Sequence, residues 1–153
     1  MKLLQAIDEL ESYISKLRLS NEAVSNSTIG WQIGHSLKVI YGIGKTVAKS
    51  NPKEYKWQFN FTRIVVFTLN KIPRGRAKAP KTVRPEEEDL TAEALQDFIE
   101  KSKNAIEDAL NAPPKAYFEH PYFGLLSRDK AIRFLEIHTE HHLKIIRDIA
   151  KGK

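Results

Sequence analysis

A chain of 153 residues with 41% hydrophobic and 29% charged residues has the make-up of an ordinary globular protein, long enough to bury one core. It contains no cysteine, which excludes a disulfide framework, a cysteine-ligated zinc site and a thiolate nucleophile supplied by the protein itself. The net charge of +6 permits anionic partners without naming one.

The first ten residues, MKLLQAIDEL, reach Asp8 and Glu9 before an apolar run of signal-peptide length can form. The longest purely aliphatic and aromatic run, Ile64 to Phe67, is far too short for a membrane span. One cytoplasmic domain over residues 1–153, with no membrane segment, is the expectation.

Leu3, Ile7, Leu10, Ile14 and Leu17 are spaced alternately by four and three residues, the apolar stripe of a first helix ending near Ser20-Asn21. A second helix, capped at Ser27 or Thr28 and stopped by Asn51-Pro52, is apolar on more than one face. Ile33, Leu37, Ile40 and Tyr41 form one side of it; Trp31, Val39 and Ile43 form another, so it should be the most buried. In FNFTRIVVFTLNKI the β-branched run would suit a strand, but no second strand signal is available to pair with it. Phe61, Ile64, Val65, Thr68 and Ile72 fit a helix instead, ended by Pro73.

Residues 73–90 read as a long irregular connection without apolar periodicity. Thr91 then caps a fourth helix with the stripe Leu95, Ile99, Ser102, Ile106 and Ala109, ended by Asn111 and Pro113-Pro114. A last helix opens at Ser127. The sum is an all-α bundle of about five helices, or four long ones and a shorter element.

In the last helix Ala131, Leu135, His138, His142, Ile145 and Ile149 form an inner seam, and two of its members are histidines four residues apart. Two such imidazoles lie one above the other on one face and can converge on a metal ion. His141 is turned about 100° away, toward the bearing of Phe134 and Ile137. His35, in the buried second helix between Trp31 and Val39, is the candidate third ligand. Three neutral imidazoles leave a fourth coordination position open, the catalytic rather than the structural arrangement. The competing reading is that these are hydrogen-bonded core histidines.

His35, the HTEHH motif and the long loop before the fourth helix together resemble the DinB/YfiT-like superfamily of bacterial helical bundles. The segment HPYFGLLSRDKAIRFLEIHTEHHL is similar to a branch of it described only as a domain of unknown function. The resemblance implies an up-down-up-down four-helix bundle, often dimeric, holding a divalent metal, zinc or nickel, on His35, His138 and His142, with His141 a neighbour. It also implies metal-dependent transfer of a low-molecular-weight thiol to a small electrophile. Many relatives carry a glutamine three residues after the last histidine, where this chain has Ile145, so a polar group that could orient a ligand or substrate is missing. A non-catalytic bundle is the alternative. His120, in the HPYFG turn, reads either as a group beside the metal at the open end of the bundle or as a residue that fixes the turn.

Arg74, Arg76, Lys78, Lys81 and Arg84 crowd the 73–90 connection and would attract phosphate. Glu86, Glu87, Glu88 and Asp89 follow at once, and no aromatic residues interleave the cations for base stacking. A solvated loop is the preferred reading, with nucleic acid or another anionic partner a distant one.

Overall fold

The computed structural model describes residues 2–74 and 79–152. Five α-helices and one β-hairpin follow one another among these residues: α1 (Lys2–Ser12), α2 (Ile29–Lys49), α3 (Phe61–Leu69), α4 (Ala92–Asn111), β1 (Tyr117–His120), β2 (Gly124–Ser127) and α5 (Arg128–Ala150). None of these helices is long and apolar enough to cross a membrane.

Leu3, Ile7 and Leu10 of α1 are fully buried, as their spacing demands, but the helix stops well before Ser20. The Ser12 hydroxyl donates back to the Glu9 carbonyl, and the chain tightens into a 3₁₀ turn at Ile14–Lys16. In α2 the Thr28 hydroxyl accepts the Trp31 N–H at 3.2 Å and closes the first turn. Ile33, Leu37 and Ile40 are fully buried, whereas Tyr41 is partly exposed beside Phe98. Thr91 caps α4 through the Ala94 N–H, and Leu95, Ile99, Ser102, Ile106 and Ala109 are buried.

The pairings between helices give their directions. Leu37 meets Ser102 and Lys45 meets Asp108, so α2 and α4 run parallel. Gln32 meets His142 and His35 meets His138, so α5 runs against α2. Glu11 meets Gln96 and Asp8 meets Lys103, so α1 runs against α4. α1 and α2 lie diagonally, each between α4 and α5. The chain returns between α2 and α4 through residues 58–74, which travel alongside the hairpin and α5 from Asn60 at Tyr122 to Arg74 at Asp148. Direction therefore alternates along the chain only when this return segment is counted with the four long helices.

α3 ends at Leu69, where Asn70 turns left-handed at φ 49°, rather than at Pro73, so Ile72 lies beyond it. Two further elements differ from the sequence reading. The hairpin was not foreseen: Tyr117 pairs with Ser127 and His120 with Gly124 around Pro121, Tyr122 and Phe123, with Gly124 at φ +67°. Its signal is an aromatic-rich run followed by a Pro-aromatic-aromatic-Gly turn. The 73–90 connection is also anchored more firmly than its composition suggested. Pro85 is buried, Val83 and Leu90 are half-buried, and short 3₁₀ turns at Lys81–Val83 and Glu87–Leu90 hold it against the start of α2. Arg76 and Lys78 lie outside the described residues; Arg74 is paired with Asp148.

Gly44 sits at a close approach of α2 to α4. A Cβ there would stand 2.7 Å from the Ala105 carbonyl oxygen, whereas a Cβ at Gly42 would meet nothing within 4 Å. Gly44→Ala should destabilise the protein by about 1–3 kcal/mol through forced helix separation. Gly42→Ala should stabilise it by about 0.4–1 kcal/mol by restricting the unfolded chain. Urea titration of both variants checks the pair; equal effects would mean that the α2–α4 contact is not so tight.

Candidate metal centre

His35 lies in the second turn of α2 and is 4% exposed. Its ring stacks on Trp31, one turn earlier, at 5.0 Å and 13°. Its Nδ1 is 2.9 Å from the Val83 carbonyl oxygen on the loop that crosses the start of α2. His142, from the last part of α5, is 8% exposed and its Nδ1 is 2.6 Å from Gln32 Oε1. The Gln32 amide is fixed in turn by donating to Ser25 Oγ at 3.2 Å. A carbonyl oxygen can only accept, so both histidines must carry their proton on Nδ1. Each is left with a lone pair on Nε2. This is the outer hydrogen bonding that orients histidine ligands and raises their basicity.

His138 stands one turn before His142 on the same face of α5. Its Nδ1 is buried and has no hydrogen-bond partner. Thr139 Oγ1 is likewise buried without a partner, and nothing in the structure explains it. Ring centroids are 5.2 Å apart for His35–His138, 4.7 Å for His35–His142 and 4.6 Å for His138–His142. One ring nitrogen from each histidine lies within 4.8 Å of the others, and among the described residues no carboxylate joins them.

Burial is the main electrostatic influence. It holds His138 and His142 well below the ordinary imidazole pKa, and the positive charge that neighbouring histidines would carry lowers them further. Burial also lowers His35, against the opposing pull of its bond to Val83. Among the described residues no acid acts on these three rings to stabilise imidazolium, so the cluster is neutral at physiological pH, the form that binds metal. Three neutral donors, two with their outer N–H groups committed and one with an orphaned buried nitrogen, fit a divalent ion in a site with a position to spare.

The other two histidines lie outside this group. His141 meets His142 edge-on at 5.1 Å and lines a cleft of about 730 Å³ together with Lys71, Ile72, Arg74, Ile137 and Lys144. Burial and the nearby Arg74 charge lower its pKa. His120 accepts the Tyr122 N–H on Nδ1 at 3.1 Å and stacks on Phe123 at 4.2 Å, so it fixes its own turn. Phe134 stands between it and His138, with centroid distances of 4.6 Å to His120 and 5.6 Å to His138.

Sequence reasoning missed Gln32 and the Val83 carbonyl. Gln32 did leave a signal, since a glutamine beside Ile33 on the most buried helix, three residues before His35, needs a partner inside. No curated protein and no solved structure gives a significant match to the chain. A family model does, over residues 3–146, from the first turn of α1 into the end of α5: the chain belongs to the DinB superfamily.

Proposed function

We propose that this protein binds one divalent metal ion on His35, His138 and His142 and uses it to transfer a low-molecular-weight thiol to a small electrophile. The observation that carries the reading is the placement of three neutral ring nitrogens within 4.8 Å, with the Nδ1–H groups of His35 and His142 already committed outward. When bound, the ion would supply Lewis-acid stabilisation of a developing thiolate. The chain's own part is to keep the three imidazoles neutral by burial, to fix two of their tautomers through Val83 and Gln32, and to hold His35 flat against Trp31. Zinc or nickel suits imidazole donors.

Ile145 favours a second reading, a bundle that holds metal without turnover. It is buried in the core at the position where many relatives carry glutamine, so this chain offers no polar group there.

Elemental analysis of protein purified without chelator or affinity-resin metal should find one divalent ion per chain. The zinc and nickel forms should then accelerate conjugation of glutathione or cysteine to 1-chloro-2,4-dinitrobenzene over the metal-free form. Metal uptake without conjugation would overturn the transfer reading in favour of the second one. No uptake would overturn both.

A further inference from the structure

The cleft beside the metal centre has chemistry of its own. Asn70 turns left-handed and ends α3, and residues 70–74 then form one wall against α5. The wall is held at both ends: Arg133 of α5 donates to Asn70 Oδ1, and Arg74 pairs with Asp148 at 2.8 Å. Ile137, Glu140, His141 and Lys144, spaced as one face of a helix, form the other wall. The enclosed volume of about 730 Å³ lies within the range of small-molecule pockets, about 300–1,000 Å³.

Its charges are one-sided. Lys71, Arg74 and Lys144 line it against a single carboxylate, Glu140, so three positive charges less one negative leave a net of +2. Arg74 is committed to Asp148, and Glu140 gives its two oxygens to Arg147 at 2.8 and 3.4 Å. Lys71 and Lys144, on opposite walls, have no ion-pair partner among the described residues. Ile72, Pro73 and Ile137 make the rest of the lining largely apolar. Two uncommitted ammonium groups and no uncommitted guanidinium favour separate carboxylates over a phosphate, which the planar fork of arginine reads best. No Phe, Tyr or Trp lines the cleft, so nothing there would stack on a nucleic-acid base.

We propose that this cleft binds a small organic acid, Lys71 and Lys144 each taking a carboxylate while Ile72 and Ile137 take its apolar body. The site adjoins the metal centre through His141, which meets His142 edge-on at 5.1 Å. A thiol that carries carboxylates would be gathered beside the ion, whereas cysteamine, which carries only an ammonium, would be repelled. This second step rests on the transfer reading; the binding itself uses none of His35, His138 and His142.

The probe is S-methylglutathione, which keeps both carboxylates and has its thiol blocked, titrated into the chelator-treated full chain and followed by amide NMR shifts. Shifts should centre on Lys71, Ile72, Ile137 and Lys144, weaken as salt is raised, and be lost with the diethyl ester of the probe. Lys71→Gln or Lys144→Gln alone should weaken binding about five-fold, and the two together about twenty-five-fold, as for two independent, partly screened ion pairs. Both side chains are exposed, so the variants should keep the parent's helical spectrum. Shifts elsewhere, equal binding of the diethyl ester, or full affinity in the double variant would overturn the proposal. Tighter binding of inorganic phosphate at the same lysines would overturn the carboxylate assignment. In the zinc form the double variant should raise the KM for glutathione by a similar factor. Conjugation with an unaltered KM would sink the cleft and leave the transfer reading standing; binding to the cleft without any conjugation would do the reverse.

Discussion

Replacing His138 with alanine should weaken zinc binding by well over about 100-fold, since loss of an outer hydrogen-bond partner alone typically costs about 10–100-fold. His35→Ala and His142→Ala should do the same, because each removes one of three donors gathered within 4.8 Å. Gln32→Leu should fall between these variants and the parent. It leaves the His142 ring in place but removes the acceptor at 2.6 Å that keeps the proton on Nδ1 and the lone pair on Nε2. His141→Ala should retain most of the affinity, because its ring is outside the group of three. Competition titration against a chromophoric zinc chelator measures the five variants and the parent. Equal affinity in the four histidine variants would refute the site, and a loss confined to His141→Ala would move it to the other face of α5. A core-histidine reading makes a different forecast. Each truncation would then destabilise the metal-free protein by roughly 1–3 kcal/mol and add no zinc-dependent difference. Ligands instead show their effect when metal is added, because binding to the native state stabilises it by mass action.

That His138 and His142 share one face of α5 was legible because helical periodicity converts spacing into direction. His138 and His142 share a seam with Ala131, Leu135 and Ile149, all of which are buried. Which residue held each imidazole was not legible, because Val83 approaches His35 from 48 positions away through a loop with no periodicity. A backbone carbonyl leaves no mark of its own in a sequence. The hairpin escaped because each strand is only four residues long and lies between helices that dominate the pattern. α3 is the most instructive case. Its period correctly identified a helix, but periodicity reports that a face is apolar, not that the same chain covers it.

The metal-free protein should lose much of its stability between about pH 7.5 and about pH 5, across the ordinary range of histidine titration. All five histidines have pKa values lowered by the fold, with burial the largest cause in each, and His120 is brought down to about 4. In the unfolded chain the same groups take up protons near pH 6.5. Below that value the unfolded state therefore binds more protons than the native state, and stability falls as pH falls toward the native pKa values. Each histidine that stays neutral in the native protein at pH 5 removes about 2 kcal/mol from the stability it had above pH 6.5. The share is smaller for the half-buried His120 and His141, whose charge solvent can screen. His138 and His142, held well below 6.5, should together remove on the order of 4 kcal/mol, a large part of a typical domain's 5–15 kcal/mol. The carboxylates whose pKa values are lowered by partners, Glu9 beside Arg147 and Asp89 beside Lys38, lose their contribution only at lower pH and do not enter this window. Urea midpoints in the presence of a chelator, taken at intervals across the range, give the slope directly. His142→Asn should make it shallower by about one proton in the steep part of the curve. Saturating zinc should raise the whole curve at neutral pH and lose that advantage on acidification, as protons displace the ion. A flat profile in the chelated protein would mean that the histidines titrate as freely when folded as when unfolded, and a cluster that hydrated is not the dry three-nitrogen site described by the geometry.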